Sequence, residues 1–262
     1  MADSAPAHLP AQGSLMRGKR GLIMGVANDR SLAWGIASAC AAQGAELAFT
    51  FQGDALERRV RPLAQQVASD LVFPCDVADE ASIDSAFAAL AQRWDGLDFL
   101  VHAIGFADKQ YLRGRDLDTP RAAFLQAMDI SCYSFTAVCQ RAVPMMKPGG
   151  SLLTLSYLGA ERWVPHYNVM GVAKAALEAS VRYLAADLGG QRANPSLQRL
   201  TLEGERQFGA LCRTRRGDAP GQGAVVGDAH DHAALAAHQT ALDGKLCRGT
   251  VGHDDPLACE AR

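Results

Sequence analysis

Five short apolar runs, each followed by a longer helical pattern, fill the first 190 residues of this chain. The runs are Gly21–Gly25, Glu46–Gln52, Leu71–Asp76, Asp98–Gly105 and Ser151–Tyr157. The helical stretches between and after them are Leu32–Gln43, Leu56–Val67, Ala81–Trp94, Thr119–Met146 and a long one from about Tyr167 to Leu188. A strand with one wet face alternates apolar and polar residues. Strands without that alternation are covered on both faces, as a parallel sheet in a βαβ array requires. The expected class is therefore α/β, a doubly wound parallel sheet of Rossmann-like type.

Composition narrows the rest. The chain has 262 residues, 48% hydrophobic and 21% charged, with net charge −2. This leaves room for a real core and excludes a disordered polyanion or a protein with an overall basic nucleic-acid footprint. Seven cysteines, an odd number with no CxxC pair, fit small core residues in a reducing compartment. No apolar h-region opens the chain and no run approaches the ~18 apolar residues that span a bilayer. The reading is cytoplasmic, with no membrane and no nucleic acid. Residues 1–15, small and polar, read as a disordered leader, with Met16 a candidate functional start.

The exit of the first strand, Gly25-Val-Ala-Asn-Asp-Arg-Ser31-Leu32-Ala33-Trp-Gly35, leads into a helix. Gly25 permits a tight turn, and the helix start at Ser31 and Leu32 offers free N–H groups and a positive dipole end to a pyrophosphate. Gly35 would allow close helix–strand packing. This is not a GxGxxG, and an ordinary strand-to-helix turn fits the same residues. At the second strand's end, where an acid often binds a ribose 2′-hydroxyl, stands the neutral Gln52, with Arg58 and Arg59 further along; NAD is favoured over NADP. Asp76-Val77 could receive an adenine amino group or simply precede a helix that Asp79 and Glu80 start. Ala103-Ile104-Gly105 ends the fourth run without bulk, where a nucleotide ribose could approach.

Tyr167 and Lys174 lie seven residues apart, nearly two helical turns or about 10.5 Å along an axis, with Gly171 between them. That is too far for contact but suits two groups gripping one cofactor from different ends. The same spacing also fits an exposed lysine and a half-buried tyrosine on a surface helix.

Taken together, Gly25-x5-Ser31-x-Ala33-x-Gly35, Gln52, Asp76-Val77, Ala103-Ile104-Gly105-Phe106, Leu153-Thr-Leu-Ser-Tyr157-Leu-Gly-Ala-Glu-Arg162 and Tyr167-Asn-Val-Met-Gly-Val-Ala-Lys174 resemble the NADH-dependent enoyl-[acyl-carrier-protein] reductases of bacterial fatty-acid synthesis, within the short-chain dehydrogenase/reductase superfamily. Most of that superfamily carries Tyr-x3-Lys; the six-residue spacer and a second tyrosine, Tyr157, mark the enoyl reductases. The resemblance runs from about Met16 to Gln191. It implies hydride transfer from NADH to a trans-2-enoyl thioester, with Tyr167 on the enolate oxygen, Lys174 on the ribose and Tyr157 lining the acyl pocket. It also implies acyl carrier protein as partner and a homotetramer, which the divergent tail calls into question.

After Gln191 the text changes. Residues 192–262 contain no Tyr, Trp or Ile and one Phe, Phe208. Asn194-Pro195 falls where a sixth strand is due, and proline cannot donate into a central ladder, so no sixth strand is expected. The domains are thus a leader, 1–15; a dinucleotide-binding and catalytic unit, 16–191; and an atypical C-terminal third, 192–262. This last part reads as a poorly ordered product of a shifted reading frame or as a genuine replacement. Three functions stay open: an enoyl-thioester reductase, a carbonyl-reducing short-chain dehydrogenase, and a nucleotide-binding chain impaired by its tail. His230, His232, His238 and His253 with Asp228, Asp231 and Asp254 match no ligand spacing, so no metal is expected. His102 and His166 read as packing or surface residues, and Trp34, Trp94 and Trp163 as core or cleft lining.

Overall fold

A computed structural model of the chain describes residues 13–189 and 196–202. Among the described residues, six strands form one sheet in the order β3-β2-β1-β4-β5-β6, and every pairing is parallel. They are β1 (Arg20–Met24), β2 (Glu46–Phe51), β3 (Val72–Pro74), β4 (Leu97–His102), β5 (Met146–Tyr157) and β6 (Ser196–Leu202). The helices are α1 (Leu32–Ala42), α2 (Gly53–Gln66), α3 (Glu80–Ala91), α4 (Arg121–Met128), α5 (Ser134–Ala142) and α6 (Asn168–Gly189). A five-residue π-turn, Asp129–Tyr133, joins α4 to α5, where one continuous helix was expected.

The apolar runs fold as two-sided strands because their residues alternate between two cores rather than between core and water. Leu22, Met24, Ala48 and Leu100 face one cluster with Ile83 and Phe87 of α3, Phe135 and Val138 of α5 and Leu177 of α6. Ile23, Leu47, Phe49 and Val101 face the other, with Trp34 of α1 and Val60 and Leu63 of α2. Burial at roughly 25 cal/mol per Å² on both faces is what fixes the register: a one-residue slip would exchange the two sets. The stretch Arg121–Met145 has the length and mean hydropathy (1.2) of a membrane span, but half of it is buried inside the fold, as in a core helix.

Three expectations are corrected here. A sixth strand exists: β6 pairs along β5 from Ser151↔Ser196 to Tyr157↔Leu202. Pro195 stops one residue short of it, so every residue of the strand keeps its amide donor, and the sheet continues past the expected boundary at residue 191. Residues 13–15, assigned to the leader, belong to the described fold: Gly13 N–H donates to Ala42 O at 3.0 Å, and Met16 N–H to Gln43 O at 2.9 Å. Trp34 and Trp94 are buried, but Trp163 is 73% exposed and lines neither core nor cleft. Residues 1–12, the remainder of the tail and its histidine cluster lie outside the described residues; among those described, no group of three metal-ligating side chains occurs.

Candidate active site

In this strand order the chain leaves β1 for β2 on one side and resumes on the other at β4, so the crevice at the carboxyl ends of β1 and β4 is the topological switch point. A cleft of about 330 Å³ opens there. Of the residues singled out in the sequence, Gly25, Gln52, Asp76, Val77, Ile104 and Gly105 line it; Ser31, Leu32, Tyr157, Tyr167 and Lys174 do not.

Gly25 is required by geometry. Its φ is +93°, and a Cβ there would sit 2.1 Å from Ala103 O, inside the backbone of the β4 exit. Ser31 caps α1 by position, but its hydroxyl donates back to Asn28 O at 2.7 Å, closing the turn instead of capping the helix. Gly35 does not fulfil the packing role expected of it: it is exposed on α1, and a Cβ would meet nothing within 4 Å. At the β2 exit, Gln52 Nε2 donates to Asp76 Oδ2 at 3.0 Å, and Ala78 N–H donates to Asp76 Oδ1 at 3.0 Å. Asp79, not Asp76, caps α3, its side chain accepting from Ala81 N–H at 3.0 Å.

Lys174 sits on α6 with its chain buried, and Nζ donates to Ile104 O at 3.1 Å and to Leu155 O at 3.0 Å. The ammonium thus bridges the exits of β4 and β5. Burial pulls its pKa down to about 8, because the charged form loses water. Gly105 makes the space, since a Cβ there would come within 3.3 Å of Nζ.

Tyr167 immediately precedes α6, between His166 (φ +59°) and Asn168 (φ +30°), and its carbonyl accepts the N–H groups of Met170 and Gly171. Its ring lies 4.9 Å from that of Tyr157, tilted by 56°. Burial, reinforced by the neighbouring Tyr157, pushes the Tyr167 phenol well above its ordinary range, and burial also raises Tyr157. Both phenols are therefore proton donors at neutral pH, not phenolates.

Sequence reasoning missed several residues. Gly159 is one: a Cβ there would strike the Tyr167 ring at 2.3 Å, so this glycine, and Gly171 whose Cβ would meet Gly159 O at 2.8 Å, let the ring seat. The only signal was a small residue two after Tyr157. Ser131, in the π-turn, accepts from Phe106 N–H at 2.8 Å and donates to Phe106 O at 2.9 Å. His102, read as a packing residue, is fully buried between Ser134 and Thr154. Neither has a local signature.

A parallel sheet of this order, with a glycine turn at the switch point and a Tyr/Lys pair at the start of the helix after β5, defines a short-chain dehydrogenase/reductase with a Rossmann-like dinucleotide-binding fold. More narrowly, the family described as Enoyl-(Acyl carrier protein) reductase matches residues 25–194, and the chain belongs to that family. It is 63% identical over 177 residues to enoyl-[acyl-carrier-protein] reductase [NADH] 1 of Rhizobium meliloti strain 1021, covering 68% of this chain and 65% of that protein. The corresponding reductase [NADH] of Neisseria meningitidis is 50% identical, covering 75% of this chain and 78% of that one. The chain thus spans about two thirds of the length of the Rhizobium relative. Among solved structures, the reductase of Anaplasma phagocytophilum in complex with NAD superposes with a TM-score of 0.68 at 58% identity, over 70% of each chain. That of Bacillus cereus, with NADP+, gives 0.68 at 42% identity, over 77% of this chain and 81% of that one.

Proposed function

We propose that this protein reduces trans-2-enoyl thioesters carried on acyl carrier protein, using NADH. The observation that carries the reading is the Lys174 ammonium held by Ile104 O and Leu155 O beneath a glycine-floored cleft, with the Tyr157–Tyr167 ring pair at the next strand exit. The cleft fits a dinucleotide: Gly25 admits backbone approach where a Cβ would collide, and Gly105 keeps the floor open beside Nζ. Gly25, Gln52, Asp76, Val77, Ile104 and Gly105 would hold the cofactor, with Ser31 and Leu32 at the helix start behind the pyrophosphate and Lys174 on ribose hydroxyls. When bound, NADH supplies a hydride for the β-carbon of the enoyl group.

The chain's own residues then manage the charge that develops. Hydride addition at the β-carbon moves the electron pair of the double bond onto the thioester oxygen as an enolate. A preorganised O–H donor stabilises that oxygen as the charge forms. The elevated pKa of Tyr167 keeps its proton in place for this, and its tilted stacking on Tyr157 restricts the ring. Tyr157 borders the acyl chain. Collapse of the enolate with a proton at the α-carbon gives the saturated thioester.

Gln52 favours NADH. One of its two amide N–H donors is committed to Asp76, so a neutral amide, donor and acceptor both, remains for a 2′-hydroxyl, while the neighbouring Asp76 carboxylate repels a 2′-phosphate. The same reading places the protein in the cytoplasm, with acyl carrier protein as its macromolecular partner. The test is NADH oxidation by the full chain with a crotonyl thioester, alongside fluorescence titrations of NADH and NADPH. Turnover with NADH and weaker NADPH binding are expected. Reduction of a carbonyl substrate but not the enoyl thioester would replace this reading with that of a carbonyl-reducing dehydrogenase, and NADH binding without turnover would leave only a nucleotide-binding chain.

A further inference from the structure

The buried polar side chains that this chemistry does not use lie together under the exit of β4. His102, Ser134 and Thr154 are each fully buried. Ser134 Oγ spends its one proton on Ile130 O at 2.6 Å, so toward His102 Nε2, 2.9 Å away, it can only accept. Nε2 therefore carries the ring proton, and the bare Nδ1 accepts from Thr154 Oγ1, 3.0 Å away, whose proton is shared with the His102 carbonyl at 3.2 Å. The imidazole is neutral and both its nitrogens are satisfied.

Four residues along, Ser131 Oγ both accepts from Phe106 N–H and donates to Phe106 O. His102 and Phe106 bracket the segment Ala103–Gly105, which lines the cleft and whose Ile104 carbonyl holds Lys174. Both anchors come from one place: Ser131 lies within the π-turn and Ser134 directly follows it. Side chains three apart lie near one another along a helix, so Ser131 and Ser134 reach the two ends of the strand exit from one short stretch, and single π-turns are commonly kept where function needs them.

We propose that His102 is a positioning residue: through Ser134, and together with the Ser131–Phe106 bonds, it forms a two-point clamp that sets the Ile104 carbonyl and so the seat of Lys174. The proposal rests on the reading of Lys174 as the cofactor's ribose anchor. The test uses the full chain and NADH itself, with Kd from fluorescence titration, kcat and KM from thioester reduction, and Tm from thermal unfolding. His102→Leu, which removes both ring partners, is expected to raise the NADH Kd about three- to tenfold with a smaller change in kcat. Ser131→Ala, which deletes one hydroxyl and is gentle on folding, is expected to act in the same direction and carries the test should the leucine variant fail to fold. His102→Gln, which restores a donor toward Ser134, is expected to recover most of the loss. In a Lys174→Ala background, Ser131→Ala is expected to add little, because it acts through that lysine.

Folded His102→Leu or Ser131→Ala variants that bind NADH as the wild type does would overturn the clamp while leaving the proposed function standing. So would a full additive loss in the Lys174→Ala background, or a lowered Tm with unchanged NADH affinity. A wild-type chain that binds no NADH overturns both.

Discussion

The two halves of the sheet hold their parts of the site in different ways. On the β1–β2–β3 side the contributing residues sit at strand exits and each meets one neighbouring exit: Gly25 against Ala103 beyond β4, and Gln52 with Asp76 beyond β3. On the β4–β5 side the groups are linked to one another through shared segments. Lys174 hangs from Ile104 and Leu155, Phe106 from Ser131, and the Tyr167 ring fits only because Gly159 is bare. The first half is a set of independent footholds; the second is one interlocked unit. Substitutions in the first should therefore act singly, and those in the second should be coupled.

The largest effect expected from breaking this division lies in the interlocked half. Tyr167→Phe removes only the donor hydroxyl and should lower kcat about 10²- to 10³-fold, the usual loss of one oxyanion donor, with the NADH Kd within about twofold. Lys174→Ala should instead raise that Kd by about tenfold or more. Equal losses of cofactor affinity in both variants would show the roles to be wrongly divided.

Next comes Gly25→Ala, which must either leave its φ of +93° or collide with Ala103 O, at a cost on the order of 1–3 kcal/mol. A fall in Tm together with at least a tenfold weaker NADH titration is the expected outcome; an unchanged Tm would mean that the turn relaxes without loss.

A smaller, pH-dependent effect follows from Lys174. Its folded pKa of about 8 lies below its ordinary 10.5, so the unfolded chain binds more protons across that window. The lysine opposes folding below about pH 8, and that opposition fades as pH rises toward 10.5. Cofactor binding runs the other way, because the proposed ribose contact uses the ammonium. NADH affinity should weaken above about pH 8, by at most about tenfold per unit, over a range in which this residue's contribution to stability improves. Parallel titration and thermal unfolding from pH 7 to 9.5 would show it, and affinity flat with pH would sink it.

The smallest effect is the control. Gly35 is exposed within α1 and a Cβ there meets open space, so Gly35→Ala should stabilise by about 0.5–1 kcal/mol through helix propensity alone. Chemical denaturation measures it directly, and destabilisation would restore the packing role the motif suggested.

This division also explains what could be read from the residues alone. Strands announced themselves because two-sided burial leaves no polar alternation, and Gly25, Gln52 and Asp76 because a strand exit is a local event. Lys174 and the tyrosine pair were visible as a spacing. The partners that position them were not, since Ser131 and His102 acquire their roles from segments 25 to 52 residues away and Gly159 from a ring that only the fold brings against it, and periodicity carries no trace of either. β6 is hidden from such a reading because the effect of a proline depends on register: one position further on, Pro195 would break the ladder.

The π-turn between α4 and α5 has a consequence for how this helix can change over time. One residue more than a regular turn shifts the angular phase of everything after it by about 100°. Phe135, Val138 and Ala142 reach the core, and Ser134 reaches His102, only in the shifted phase. Any of the five residues from Asp129 to Tyr133 could be exchanged one at a time with graded effect, but deleting a single one would turn the whole of α5 away from its partners at once. Length, more than identity, is the inherited quantity in that segment.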